Sequence, residues 1–167
     1  MDQYVIGVIV SNVSGVLSRV SGMFTRRGFN IDSLTVGETE SSSFSRITIA
    51  FHGDEYLKDR ILLQLCKLHD VREVEVLDRH ETVVRELLLI KVRNTPQSRQ
   101  DIMTAVEIFR SKIVDYSPNA LVCELTGETS KIDAFIELLK PYGIMEMCRT
   151  GLVAIERGDN CLKTVKS

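Results

Sequence analysis

One short turn, S-N-V-S-G at positions 11–15, holds the residue types best suited to binding a ligand. It joins an apolar strand to an amphipathic helix, whose first backbone N–H groups have no intrahelical partners and lie at the positive end of the helix dipole. A carboxylate can bind there. Gly15 lacks a Cβ that would hold the carboxylate away, and Asn12 offers a donor as well as an acceptor for a ligand ammonium.

This turn predicts binding of a small amino acid with no chemistry performed on it. The alternative is a plain strand-to-helix connection, and on this stretch alone that interpretation is favoured.

The other reactive side chains do not predict an active site. Cys66 and His69 fall on one face of a predicted helix, but no second ligand pair has the spacing of a metal site. Ser14 lacks the flanking glycine of a nucleophile elbow, and the segment from Gly15 to Gly22 lacks the Lys-Ser/Thr ending of a phosphate loop. We expect no catalytic residue and no metal on this chain.

Composition excludes several classes of function. A net charge of −2 gives no electrostatic attraction to nucleic acid or to an anionic membrane, and aromatic residues, at 6%, are too few for a base-stacking sheet. The N-terminal apolar run is shorter than a membrane span, and we expect no signal peptide. The four scattered cysteines predict free thiols in a reducing compartment, which indicates a cytoplasmic protein.

In the first half of the chain, hydrophobic periodicity predicts the order strand, helix, strand, strand, helix, strand. The first helix has Ser14 as its predicted N-cap and Gly28 as its end, and Asp54 is the predicted N-cap of the second helix. The predicted strands are Tyr4–Val10, Phe29–Glu38, Phe44–Phe51 and Val71–Leu77, and the helix stripes are Val16 to Phe24 and Leu57 to Leu68.

The same order recurs in the second half as a pattern, without sequence repetition. Ser130 is the predicted cap of its second helix. The predicted strands are Leu87–Val92, Ile113–Tyr116, Leu121–Leu125 and Ile144–Ile155, and the helix stripes are Ile102 to Phe109 and Ile132 to Leu139.

The predicted fold is therefore α+β, with two tandem ferredoxin-like βαββαβ domains. The predicted boundaries are residues 1–78 for the first domain, 79–82 for a linker, 83–158 for the second domain and 159–167 for a frayed tail. Because the edge strands of open sheets need cover, we expect a symmetric dimer that places the segment Asn12–Leu17 near the partner chain.

Sequence segments across both halves resemble the small, regulatory subunits of acetolactate synthase (acetohydroxyacid synthase), which begin with an ACT domain. The two-domain layout with the second-half segments makes the resemblance specific. The segments are NVSGVLSRVSGMFTRRGFNIDSLTV, SRITIAFHGDE, QLCKLHDVREV, VVRELLLIKV, EIFRSKIVDYSP and GETSKIDAFIELLKPYGIMEMCRTGLVAIERG.

The resemblance implies a regulatory chain that is no enzyme by itself and that binds a branched-chain amino acid, usually valine, between two ACT domains. The implied effector-binding residues are Asn12, Gly15, Val16 and Leu17 of one protomer with Asn30 and Ile31 of the other. Val16 stands where some relatives carry Ala, and a larger residue there could narrow the site.

The implied partner is the catalytic large subunit, a transferase that would hold thiamine diphosphate, FAD and Mg²⁺, with no cofactor on this chain. That subunit condenses two pyruvates, or pyruvate with 2-oxobutyrate, in branched-chain amino-acid biosynthesis. The alternative function is a stand-alone ACT-type amino-acid sensor that controls another enzyme or transcription.

Overall fold

The computed structural model describes residues 2–78 and 80–162, and these form two compact units. The first unit comprises the described residues up to Val83 together with those from Leu152 onward. The second unit is Val84–Gly151. Within the described residues, no helix is both long enough and apolar enough to cross a membrane.

The first unit is a four-stranded antiparallel sheet with two helices on one face. The sheet order is β2-β3-β1-β4, which confirms the predicted ferredoxin-like class. Its elements are β1 (Asp2–Ser11), α1 (Val16–Arg27), β2 (Ser33–Glu38), β3 (Phe44–Gly53), α2 (Glu55–Leu65) and β4 (Val71–Val76).

Alternate residues of the central strands face the helices and form the core of this unit. The strands contribute Ile6, Val8, Val10, Ile47, Ile49 and Phe51, and the helices contribute Val16, Val20, Met23, Phe24, Ile61 and Leu65. The predicted end of α1 and the predicted N-cap of α2 are confirmed. Gly28 closes α1 in the left-handed conformation, and the Asp54 side chain caps α2 by accepting from the Leu57 N–H at 2.7 Å.

The second unit repeats this arrangement with its own core and the sheet order β6-β7-β5-β8. A short 3-10 helix, Lys140–Tyr142, follows its second helix. The elements are β5 (Thr82–Arg93), α3 (Arg99–Phe109), β6 (Lys112–Tyr116), β7 (Ala120–Gly127), α4 (Thr129–Leu139) and β8 (Ile144–Arg149).

Several predicted element boundaries differ from the structure, among them the following three. The second strand begins at Ser33 and not at Phe29, whose N–H instead donates to the Phe24 carbonyl at the end of α1. The predicted Ser130 cap is wrong, since Glu128 is the N-cap residue of α4 and makes no capping side-chain bond. The predicted strand Ile144–Ile155 is two strands, separated where Gly151 takes a φ of 80°.

After that break the chain returns to the first unit as β9 (Val153–Glu156). The Arg46 Nη2 donates to the Ala154 carbonyl at 2.8 Å, and Leu162 approaches β1 so closely that a Cβ on Gly7 would lie 2.3 Å from its Cδ1. Burial lowers the pKa of Arg46, against the opposing charges of Glu156 and Glu75.

This return explains why the β1 sequence is apolar at consecutive positions. Val5, Ile9 and Ala50 are buried on the face of the sheet opposite the helices, so both faces of β1 are covered. The residues from Leu152 group with the first unit, whereas the predicted second domain extends to residue 158. In the predicted linker, Arg79 lies outside the described residues and Thr82 begins β5; in the predicted tail, residues 163–167 lie outside them and Leu162 is buried.

Candidate functional site

The turn between β1 and α1 is organised by the backbone of Gly15, which is the N-cap residue of α1. It has φ 82° and ψ −2°, a left-handed conformation that glycine adopts at little cost. A Cβ at this position would also lie 3.1 Å from Nη1 of Arg19. The backbone conformation therefore favours glycine at this position.

The first turn of α1 is open. The predicted Ser14 cap is wrong, because the N-cap is Gly15 and no side chain caps the helix. The Val16 N–H donates to the Val13 carbonyl at 3.3 Å and the Arg19 N–H to the Gly15 carbonyl at 3.0 Å. The N–H groups between them belong to the unpaired first turn and carry the positive end of the helix dipole, so they can hold a carboxylate.

Asn12 connects this turn to the loop between β2 and β3. Its backbone N–H donates to the Ser43 carbonyl at 2.8 Å. Its side-chain Nδ2 donates to Glu38 Oε1 at 3.1 Å and to the Ser42 carbonyl at 2.9 Å. The side chain is exposed, and its orientation is fixed by these bonds.

The next two predicted site residues have different environments. Val16 is 7% exposed and packs in the core of the first unit, so its side chain does not line an open surface. Leu17 is 38% exposed and offers an apolar contact beside the turn. An effector at the turn would therefore meet the backbone of Val16 and the side chain of Leu17.

Asn30 and Ile31 lie at the other end of α1. The helix has 12 residues, so its rise separates them from the Asn12 turn by about 18 Å. Asn30 is exposed and Ile31 is half-buried against the core. A single copy of the chain therefore does not bring the six predicted effector residues together.

The side chains of Asn30, Asp32 and His52 form a series of polar contacts that the sequence did not predict. Asn30 Nδ2 donates to Asp32 Oδ1 at 3.4 Å, and Asp32 Oδ2 is 2.6 Å from His52 Nδ1. The Asp32 N–H also donates to the Ala50 carbonyl at 2.9 Å. His52 is 20 residues from Asp32 in the sequence, so the contact between these two side chains becomes apparent only from the pairing of β2 with β3.

An ion pair next to the turn was also not predicted from the sequence. Arg19 Nε is 2.6 Å from Asp70 Oδ2, and the Ser11 N–H donates to the Asp70 carbonyl at 2.8 Å. Desolvation raises the pKa of Asp70, but hydrogen bonds from Arg19 and His69 outweigh it, so this pKa lies below its ordinary value. Asp70 therefore joins the end of β1, the first turn of α1 and the start of β4.

The metal site considered from the sequence is not formed among the described residues. The prediction that Cys66 and His69 share a helix face is wrong, because α2 ends at Leu65. Among the described residues, no group of three or more His, Cys, Asp or Glu side chains is placed to hold a metal ion. The buried Glu86 is paired with Arg149 through bonds of 2.6 and 2.9 Å, which makes it a structural ion pair.

Comparison with known proteins covers both units. Residues 6–73 match the family described as the AHAS small subunit-like ACT domain, and residues 85–158 match the family described as the small subunit of acetolactate synthase. The first match starts within β1 and ends within β4, and the second runs from β5 to beyond β9.

Relatives of similar length extend the likeness to the whole chain. A probable acetolactate synthase small subunit of Methanothermobacter thermautotrophicus is 47% identical over 162 residues, 96% of each chain. The acetolactate synthase small subunit of Bacillus subtilis is 46% identical over 155 residues, 92% of this chain and 90% of its own. The crystal structure of the Thermotoga maritima small subunit superimposes with a TM-score of 0.90 at 41% identity, covering 96% of this chain and all of that one.

Proposed function

Because the chain belongs to the family of acetolactate synthase small subunits, we propose that it regulates a separate catalytic subunit of that enzyme. In this proposal the chain stimulates the catalytic subunit when effector-free. A branched-chain amino acid, with valine as the first candidate, binds the ACT domain and removes the stimulation, which gives feedback inhibition of branched-chain amino-acid biosynthesis.

The observation that carries the proposal is the uncapped start of α1 behind the left-handed Gly15. A free amino acid has a carboxylate, an ammonium and a side chain to be recognised. The open N–H groups of α1 suit the carboxylate, the carboxamide of Asn12 lies at the same turn, and Leu17 provides apolar surface.

We further propose that the binding site is completed by a second copy of the chain, through a dimer of ACT domains. The separation of about 18 Å between the Asn12 turn and Asn30 supports this, since both ends of α1 contribute only if two copies lie side by side. Each dimer would then form two equivalent sites by symmetry.

The regulatory mechanism requires no chemistry on this chain. Effector and catalytic subunit would each bind one arrangement of the dimer better, and the coupling free energy between them would be about 1–3 kcal/mol and reciprocal. The thiamine diphosphate, FAD and Mg²⁺ of the reaction would belong to the catalytic subunit. The four cysteines, all unpaired in the structure, are consistent with a proposed cytoplasmic location.

Reconstitution tests the proposal. We expect the purified chain to co-purify with its catalytic subunit, to increase the rate of acetolactate formation from pyruvate, and to lose this effect when L-valine is added. Failure to bind and stimulate a thiamine-dependent catalytic subunit would contradict the regulatory role. Stimulation that valine, leucine and isoleucine leave unchanged would contradict the feedback role alone.

A further inference from the structure

The two carboxamides of the proposed site are each held by a carboxylate of their own chain. Asn12 Nδ2 donates to Glu38 Oε1 at 3.1 Å and also to the Ser42 carbonyl. Asn30 Nδ2 donates to Asp32 Oδ1 at 3.4 Å. Because an ionised carboxylate only accepts hydrogen bonds, the NH₂ group of each amide must face the acid, and these partners set the amide orientation.

This orientation determines what the Asn12 amide can offer to a ligand. With both Nδ2 protons of Asn12 already used, the part left for an incoming group is the carbonyl Oδ1, which only accepts. An ammonium group has three donors and no acceptor, so it matches such an oxygen. A ligand carboxylate matches the N–H groups of α1 instead.

The second unit contains a comparable asparagine whose side-chain oxygen accepts from a cation of the same chain. Asn94 follows β5 as Asn12 follows β1; its N–H donates to the Asn119 carbonyl at 3.0 Å and its Nδ2 to the Ser117 carbonyl at 2.9 Å. Its Oδ1 accepts from the Arg99 guanidinium Nε at 3.0 Å, and Asn94 is only 3% exposed. A carboxamide fixed in this way therefore does present its oxygen to a positively charged donor.

Asp32 is itself held in place. Its second oxygen is 2.6 Å from His52 Nδ1, and its backbone N–H donates to the Ala50 carbonyl. Glu38 ends β2, and the loop after it is joined to the turn by the backbone bond of Asn12 to Ser43. Glu38 ends the edge strand β2 and Asp32 immediately precedes that strand, so both carboxylates would place negative charge near a bound ammonium.

We propose that Glu38 and Asp32 are positioning residues that present the Asn12 and Asn30 oxygens as acceptors for the ammonium of the effector. The site then selects α-amino acids over carboxylates that lack the ammonium. This inference rests on the proposed function, because Asn12 of one copy meets Asn30 of another only in a shared site.

Calorimetric titration of the full-length chain with two probes tests this inference. The probes are L-valine and 3-methylbutanoate, which has hydrogen in place of the ammonium. We expect the wild type to bind valine at least about tenfold more tightly, as a charged hydrogen-bonded contact requires. Glu38→Ala and Asp32→Ala should reduce this ratio severalfold by weakening valine binding, with the affinity for 3-methylbutanoate unchanged.

Conservative variants separate orientation from charge. Glu38→Gln keeps an acceptor for the Asn12 NH₂ but removes the negative charge, so its valine affinity should lie between those of the wild type and Glu38→Ala. A merely structural role would weaken both probes equally and leave their ratio unchanged. The exposed Glu107→Ala, on α3 of the second unit, is the matched control and should change neither affinity.

The outcomes distinguish this inference from the proposed function. Valine binding with an unchanged ratio in both alanine variants would overturn the positioning role of Glu38 and Asp32 and leave the regulatory role standing. Failure of the wild-type chain to bind any branched-chain amino acid would overturn both. A ratio that falls in the alanine variants and partly recovers in Glu38→Gln supports the inference.

Discussion

Gly15 and Asn12 define the candidate site at the scale of single residues. The left-handed backbone of Gly15 leaves the start of α1 without a capping side chain, and Asn12 uses both protons of its amide to hold the β2–β3 loop. The hydrogen bonds of Asn12 hold the turn in one shape. The missing helix cap leaves N–H groups of α1 available to a ligand.

Sequence reasoning identified Asn12 and Gly15 from residue type and position, but it missed the partners that hold them. Glu38 is 26 residues from Asn12, and Asp70 is 51 residues from Arg19. Such contacts depend on which strands become neighbours, and one sequence shows only local periodicity. The Ser14 cap failed for a local reason: the left-handed Gly15 moves the start of the helix one residue further on.

The Arg19–Asp70 ion pair predicts a pH dependence of stability. Because the pKa of Asp70 is below its ordinary value in the folded chain, its contribution is fully present above the unfolded pKa of about 4 and is lost as pH falls through the folded pKa. We expect Asp70→Asn to lower the urea midpoint at pH 7 and to lower it less at pH 3, because the contribution declines below the unfolded pKa.

The control for this measurement is Asp159→Asn, since Asp159 is exposed. It should leave the urea midpoint unchanged at both pH values. An Asp70→Asn effect that is equal at pH 7 and pH 3 would show that the charge of Asp70 does not support the turn.

Helix ends agreed with the sequence prediction where the sequence signal is local. Gly28 ended α1 and Asp54 capped α2 as predicted, because a left-handed C-terminal residue and an N-cap carboxylate act within one helical turn. The continuous apolar run of β1 correctly indicated a buried central strand. The sequence did not show that its second face is covered by the last described residues of the chain.

The contact between β1 and Leu162 predicts a specific cost for Gly7→Ala. The added Cβ would clash with Leu162 Cδ1, the end of a flexible side chain, so the leucine must move and the first unit should lose up to about 1 kcal/mol of unfolding free energy. Gly37→Ala on β2 is the matched control, because a Cβ there has nothing within 4 Å. Urea unfolding measures both.

A double-mutant cycle identifies the cause. If the clash with Leu162 is responsible, Gly7→Ala combined with Leu162→Ala should destabilise by less than the sum of the two single changes. Additive effects would mean that Leu162 does not pack on β1 as the structure shows.

At the scale of the whole molecule, two copies of one fold have diverged around the same turn. In the second unit, Asn94 is buried and its side-chain oxygen accepts a hydrogen bond from Arg99. In the first unit, Asn12 is exposed and its side-chain oxygen is turned away from Glu38. The order of elements was predictable in both units. The different surroundings of Asn12 and Asn94 were not predictable, because they depend on which side chain contacts each turn.

We propose that the carboxylate of an amino-acid effector binds at the start of α1, and calorimetric titration of L-valine into three forms of the chain is the decisive test. The forms are wild type, Gly15→Asn and Gly15→Asp. Asn and Asp have similar size and both tolerate a left-handed backbone, so they differ mainly in charge. We predict that Gly15→Asp binds valine at least about tenfold more weakly than Gly15→Asn, because two carboxylates repel each other. Equal valine affinity in Gly15→Asp and Gly15→Asn would contradict the claim.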